Sequence, residues 1–69
     1  MAESTIPNLA RIRAMKGYTQ TQLAAAAGLT QETISLYENG RQKPFPESLK
    51  KIAIALDCSL DELFGINGT

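Results

Sequence analysis

Side chains that can pair with a base edge or a phosphate are concentrated between residues 19 and 40, in the sequence TQTQLAAAAGLTQETISLYENG. The amides of Gln20 and Gln31 can each donate and accept a hydrogen bond, and a Gln amide can pair with adenine through two such bonds. Thr30, Thr33 and Ser35 add hydroxyl groups to the same stretch. The chemistry offered here is recognition by hydrogen bonding.

The residues that usually perform catalysis or bind metal ions are scarce. The chain has no His and a single Cys, Cys58, so it lacks a His-activated nucleophile and the usual zinc ligands. A lone Cys also forms no internal disulfide. Asp57 beside it disfavours the reactive thiolate, so we expect Cys58 to be a buried structural thiol. The sequence predicts no enzyme, no metal and no cofactor.

Cations are separated along the chain from most of the acids. The net charge is zero, but the stretch from residue 11 to 51 holds all seven cations and three of the seven acids, which leaves +4 there. The remaining acids lie near the two ends. This pattern suggests one basic and one acidic face, and a basic face suits a partner that carries phosphates.

Length and composition predict a single small all-α domain. Of the 69 residues, 43% are hydrophobic and 6% are aromatic, which favours close-packed helices over a sheet. We expect an ordered core over 6–65, with 1–5 and 66–69 frayed. The chain contains neither an apolar run of about 18 residues nor a secretory signal pattern. We therefore expect no membrane span and a cytoplasmic location.

Five helices are needed to position the polar groups, and we predict them over about 7–16, 19–27, 30–39, 46–56 and 59–64. Thr19 with Gln22, and Ser59 with Glu62, have the spacing of capping boxes. Glycines 17, 28, 40 and 65 follow the ends of four of the predicted helices. The apolar residues expected to be buried are Leu9, Ile12, Met15, Leu23, Ala24, Ala27, Leu29, Ile34, Tyr37, Leu49, Ile52, Ala53, Leu56, Leu60, Leu63 and Phe64.

The second and third helices have the pattern of a helix-turn-helix. Ala24 provides the small residue that two steeply crossing helices need at their contact. Gly28 can adopt the backbone conformation of a sharp turn, and Leu29, Ile34 and Tyr37 close the wedge between the helices. In this motif the second helix is presented to the major groove of DNA.

From about Leu9 to Phe64, the chain resembles the Cro/C1-type helix-turn-helix family, also called the XRE family, which includes the repressor and Cro proteins of lambdoid phages. The resemblance implies a compact five-helix, lambda repressor-like DNA-binding fold. The residues that carry it are Leu9, Arg13, Tyr18–Gln20, Gln22–Ala24, Ala27–Leu29, Ile34, Ser35, Tyr37–Gly40, Pro44, Leu49, Ile52, Ala53, Leu56 and Ser59–Leu63.

The family's functional positions carry over residue by residue. The base-reading positions are Gln31, Glu32 and Leu36, with Thr33 and Ser35 close by. The phosphate-binding positions are Gln20, Thr30, Asn39, Arg41, Lys43 and, as a weaker candidate, Lys16. Arg13 and Glu38 match an ion pair that fixes the reading helix.

Each assignment has a simpler alternative. Gln31 can be an exposed polar residue, and Gln20 a solvated cap residue. Glu32 can accept from cytosine N4, or it can be a charge favoured near the helix N-terminus. Leu36 can pack on a thymine methyl group, it can contact protein, or it can be a single exposed leucine without a partner. The cations after the third helix can simply be solvated.

The sequence therefore predicts a bacterial or phage-encoded transcription regulator, a repressor, that binds a palindromic operator as a homodimer. The third helix, residues 30–39, would enter the major groove of double-stranded DNA. Leu60, Phe64 and Ile66 are the expected dimer surface, and no effector is specified. The alternative is a protein-interaction module of the same fold, antitoxin-like or bridging, with little DNA binding of its own.

Overall fold

The computed structural model describes residues 5–65, which form five α-helices and no strand. In chain order they are α1 (Leu9–Met15), α2 (Gln20–Ala27), α3 (Gln31–Glu38), α4 (Pro46–Leu56) and α5 (Leu60–Phe64). The predicted all-α fold is confirmed. α1 is shorter than predicted, because Pro7 and Asn8 lie in a turn and Lys16 is the C-cap.

Side-chain caps set the beginnings of α2, α3 and α5. Thr19 Oγ1 accepts from the Gln22 backbone N–H at 3.1 Å, and Gln22 Oε1 accepts from the Thr19 N–H at 2.9 Å. Ser59 and Glu62 form the same reciprocal pair at 3.0 and 2.9 Å. Thr30 Oγ1 accepts from the Thr33 N–H at 3.1 Å. Both predicted capping boxes are confirmed, and each satisfies backbone donors that the helix leaves free.

The ends of α2 and α4 rest on left-handed backbone conformations. Gly28 has φ +70° at the C-cap of α2, as the turn to α3 requires. At the C-cap of α4 the same role falls to Asp57, with φ +53°. Asp tolerates this conformation better than most side chains do. The sequence pattern did not predict the conformation of Asp57.

The core lies between α2 and the helices around it. α2 packs against α3 and α4, α5 packs against α1 and α4, and Ala24 and Ala27 are buried on α2. Tyr37 on α3 is buried, as predicted. The buried hydrophobic residues are Ile6, Leu9, Ile12, Leu23, Ala24, Ala27, Ile34, Tyr37, Ile52, Ala53, Leu56 and Leu63.

Several burial predictions were wrong at the margins of the core. Met15 is 71% exposed and Leu60 43% exposed, although both were placed in buried stripes. Each residue advances an α-helix by about 100°, so a step of three residues falls about 60° short of a full turn. Met15 is two such steps from Leu9 and therefore lies about 120° around α1 from it. Leu29, Leu49 and Phe64 are only partly buried. Ile6, which the helical pattern did not include, is fully buried.

Backbone and side-chain hydrogen bonds join the segment before α1 to two distant parts of the fold. The Thr5 N–H donates to the Tyr37 carbonyl at 3.1 Å, and the Thr5 hydroxyl donates to the Gln42 carbonyl at 2.9 Å. Asn8 Nδ2 donates to the Glu62 carbonyl at 2.8 Å. The sequence predicts a frayed Thr5, but the structure holds it against the end of α3 and the loop after it. Ile66 lies outside the described residues.

Candidate nucleic-acid interface

A chain of hydrogen bonds joins α1, α2 and α3 at the outer end of the helix-turn-helix. Gln31 Nε2, at the first position of α3, donates to Gln20 Oε1 at 2.6 Å. Gln20 Nε2, at the first position of α2, donates to Glu38 Oε1 at 2.8 Å. Glu38, at the last position of α3, accepts from Arg13 of α1. Residues far apart in the sequence therefore form one polar network.

Arg13 and Glu38 form an ion pair that is largely removed from solvent. Arg13 Nε lies 2.7 Å from Glu38 Oε2, and the side chains are 18% and 8% exposed. Arg13 also donates from Nη1 to the Tyr18 carbonyl at 2.8 Å. The guanidinium therefore connects the end of α3 with the segment that leads into α2. The structure brings together the two residues that the resemblance implied as a pair.

The network fixes the direction of both amide groups. A carboxylate only accepts hydrogen bonds, so Gln20 must turn Nε2 towards Glu38 and Oε1 towards Gln31. Gln31 must then turn Nε2 towards Gln20. One N–H and the Oε1 of Gln31 remain available, and Gln31 is exposed. An amide with one free donor and one free acceptor is what a bidentate contact to adenine requires.

The other candidates for base reading lie on α3 with different degrees of exposure. Glu32 is exposed, whereas Thr33, Ser35 and Leu36 are partly buried. The Thr33 hydroxyl lies 2.8 Å from that of Thr30. Ser35 Oγ accepts from Asn39 Nδ2 at 3.2 Å. These side chains share a helix with Gln31, but they do not belong to its hydrogen-bond chain.

The loop that follows α3 presents two of the predicted cations. Arg41 and Lys43 are exposed, as is Asn39 before them. The Arg41 N–H donates to the Leu36 carbonyl at 2.9 Å, and the hydroxyl of Thr5 holds the Gln42 carbonyl. The loop backbone is therefore anchored on both sides of Arg41, which keeps the cations next to the end of α3.

Lys16 is placed elsewhere. It lines a pocket with Arg11, Cys58 and Glu62, between α1 and α5. The structure does not bring it to the Gln20–Gln31 pair, so its predicted phosphate contact gains no support from this geometry.

Cys58 differs from the expected buried thiol, because it is only partly buried. Burial raises the pKa of Cys58, the carboxylates of Glu62 and Asp57 raise it further, and Lys16 opposes them. Within residues 5–65, no group of His, Cys, Asp and Glu side chains could hold a metal ion. No helix in that range is long and apolar enough to cross a membrane.

The sequence missed the contacts of Gln20 with Gln31 and Glu38. These contacts depend on the crossing of α2 and α3, which places the first residue of α2 between the two ends of α3. A capping box that starts at Thr19 fixes Gln20 as the first residue of its helix. That local feature predicts where Gln20 lies on α2, but it does not predict that Gln31 and Glu38 are its hydrogen-bond partners.

Comparison with known proteins adds a family and several relatives. Residues 9–63 match the helix-turn-helix family HTH_3. The chain is 41% identical over 56 residues to the HTH-type transcriptional regulator y4dJ of Sinorhizobium fredii, covering 81% of this chain and 73% of that protein. It is 42% identical over 57 residues to the CTXphi transcriptional repressor RstR of Vibrio cholerae, covering 83% of this chain and 51% of that protein.

A solved structure is also similar. The biofilm regulator SinR of Bacillus subtilis, in complex with DNA, superposes with a TM-score of 0.79 at 30% identity, over 86% of this chain and 95% of that one. The chain spans about half the length of RstR and nearly the whole of the SinR chain in that structure.

Proposed function

We propose that this chain, which belongs to the Cro/C1-type helix-turn-helix family, acts as a repressor with α3 in the major groove. It is a DNA-binding domain of the transcription-regulator class. The fold and family are those of DNA-binding regulators, not of enzymes. The observation that carries the proposal is the hydrogen-bond chain that holds the exposed Gln31 amide in one orientation.

In this proposal Gln31 reads adenine through its free N–H and Oε1, because these groups match adenine N7 and N6. Glu32 accepts from a cytosine N4 amino group, and Leu36 packs on a thymine methyl group. Thr33 and Ser35 lie beside them on α3 and contribute to the shape of the same surface.

The phosphate contacts surround this surface. Gln20 retains one N–H after its bond to Glu38, and it lies where the N-terminus of α2 favours a negative charge. Thr30 and Asn39 flank α3, and Arg41 and Lys43 follow it. Cations in this loop supply affinity without sequence preference, since they neutralise phosphates.

The proposal includes two-fold symmetry. Helix-turn-helix dimers bind two half-sites about one helical turn of DNA apart, so that the operator is a palindrome. The similarity to a phage repressor supports a repressing role. A homodimer of this chain on a palindromic operator follows by analogy.

The salt dependence of DNA binding tests the proposed function. Fluorescence anisotropy with a labelled duplex should show an affinity that falls steeply with salt, with a log–log slope of about −0.9 for each phosphate neutralised. No binding to any duplex at low salt, with the protein folded, would contradict the proposal and favour a protein-interaction module.

A further inference from the structure

An apolar groove lies between α4 and α5, on a surface not used by the proposed DNA contacts. It has a volume of about 600 Å³ and its lining includes Lys50, Ala53, Ile54, Asp57 and Leu60. Ile54 is 72% exposed and Leu60 is 43% exposed. Single exposed apolar residues are common on protein surfaces, but two that border one groove form a patch that a partner can cover.

Four of these residues form a pattern that is complementary to itself. Lys50 on α4 and Asp57 at the C-cap of α4 both line the groove and carry opposite charges. They are seven residues apart, about 10 Å along the helix axis. The midpoint between them falls between Ala53 and Ile54. If two copies of α4 lie antiparallel about a two-fold axis at this midpoint, each Lys50 faces the partner's Asp57. Each Ile54 likewise faces the partner's Ala53.

The sizes of the central residues fit the same arrangement. Ala53 is small and lies on the floor of the groove, whereas Ile54 projects into solvent. A projecting Ile54 from one copy can therefore fill the space above Ala53 of the other. A two-fold interface requires one patch to match itself, and this patch does so in both charge and shape.

We propose that the α4 groove binds a second copy of this chain through antiparallel α4 helices, with Ile54 at the centre and Leu60 at the edge. This inference rests on the proposed function, which includes a homodimer, and it assigns the surface. Of the predicted dimer surface of Leu60, Phe64 and Ile66, Leu60 borders this groove, and Ile66 lies outside the described residues. Phe64 is partly buried against the core and does not line the groove.

The interface is small, and this determines how the dimer behaves. α4 has 11 residues and is about 16 Å long. A contact of this length, with Leu60 added, falls at the low end of specific interfaces. We expect a dimer that forms at high protein concentration and is reinforced when two copies occupy adjacent half-sites.

Charge reversal tests the surface and its antiparallel arrangement together. Lys50→Glu opposes each new carboxylate to the partner's Asp57, and Asp57→Lys opposes two cations. Each variant alone should dimerise at least about tenfold more weakly than the wild type in sedimentation equilibrium. An equimolar mixture of the two should recover the wild-type affinity, because both pairs in the mixed dimer are then attractive.

The controls separate folding from association. Lys51→Glu makes the same charge change at an exposed neighbour that does not line the groove, so it should dimerise like the wild type. Because position 57 has φ +53°, circular dichroism must show that Asp57→Lys is folded. If it is not, Ile54→Asp at an exposed position should weaken the dimer instead.

Other results would overturn the inference. If Lys50→Glu and Ile54→Asp dimerise like the wild type, a different surface forms the dimer. An equimolar mixture of the folded Lys50→Glu and Asp57→Lys variants that stays monomeric would also overturn the inference. So would a wild type that is monomeric at millimolar concentration and binds a palindromic duplex without cooperativity. Binding to a single half-site is measured in parallel. If the wild type does not bind a half-site, the result counts against the proposed DNA binding through α3. If it binds a half-site while the dimer tests fail, DNA binding through α3 stands and only the dimer surface is overturned.

Discussion

Gln20 Oε1 accepts a hydrogen bond of 2.6 Å from Gln31 Nε2, so the first residue of α2 holds the first residue of α3. The bond from Gln20 Nε2 to Glu38 in turn orients Gln20. The orientation of an exposed amide is thus set by a carboxylate that is 8% exposed. The polar surface of α3 and the packing of the helices beneath it are therefore directly connected.

Removal of the Glu38 charge should strongly destabilise the fold. Glu38→Gln leaves the Arg13 guanidinium without its counter-charge in a site where both side chains are largely buried, which costs about 3–5 kcal/mol in comparable pairs. The matched control is Glu32→Gln on the exposed part of α3, which should cost less than about 1 kcal/mol. Urea unfolding measures both, and equal losses would contradict the structural role of the ion pair.

Gln20 and Gln31 should be coupled in base preference. Gln31→Ala should reduce the preference at one base pair of each half-site by about 1–3 kcal/mol. Gln20→Ala should weaken the same preference, since Gln31 is then no longer held. In the Gln31→Ala background, Gln20→Ala should have no further effect on that base pair. Additive effects in anisotropy titrations against substituted duplexes would show that the two residues act independently.

Lys43 should contribute affinity without specificity. Lys43→Ala should weaken binding to every duplex and reduce the magnitude of the log–log salt slope by about one, because one fewer phosphate is neutralised. Lys51→Ala, which removes an exposed cation from α4, should leave the slope unchanged. If Lys43→Ala keeps the wild-type salt slope, Lys43 does not neutralise a phosphate in the complex.

Acid should weaken the cap of α5. The Ser59 backbone N–H, which donates to Glu62 Oε1 at 2.9 Å, lowers the pKa of Glu62 below its ordinary 4.5. The Ser59 side chain and Lys16 act in the same direction, and desolvation opposes them. The unfolded chain therefore binds a proton at the Glu62 carboxylate more readily than the folded chain does. The stabilisation of the fold by ionised Glu62 is present above pH 4.5 and is lost as the pH falls through the lowered pKa.

Thermal melting across this pH range measures the effect. Glu62→Gln retains a side-chain acceptor for the cap, so its Tm should fall less on acidification than that of the wild type. Asp61→Asn, a neighbouring change outside the capping box, should keep the wild-type acid dependence. An identical acid dependence of Glu62→Gln and the wild type would contradict the assignment.

The parts of the fold that depend on local chemistry were predictable from the sequence. Thr19 with Gln22 and Ser59 with Glu62 specify helix starts through neighbours three residues away, and Gly28 specifies a turn through its own backbone. The buried positions of Ile34 and Tyr37 follow from helical periodicity. These features require no knowledge of how the helices cross.

The remaining features depend on that crossing. Met15 is exposed because the core does not extend to its side of α1, and Ile6 is buried by elements that lie far from it in the sequence. The Gln20–Gln31 contact spans 11 residues, and the Gln20–Glu38 contact spans 18. The resemblance implied which positions contact DNA, while the structure supplied the hydrogen bonds that connect Gln20, Gln31 and Glu38.

Selection of bound duplexes from a random DNA pool, with the wild type and Gln31→Ala in parallel, tests the central claim most directly. The wild type should enrich a palindrome whose half-sites lie about one helical turn apart. Gln31→Ala should enrich the same palindrome with the preference lost at one symmetric pair of positions. If the folded wild type enriches no sequence, or if Gln31→Ala enriches an unchanged one, then α3 does not read DNA through Gln31.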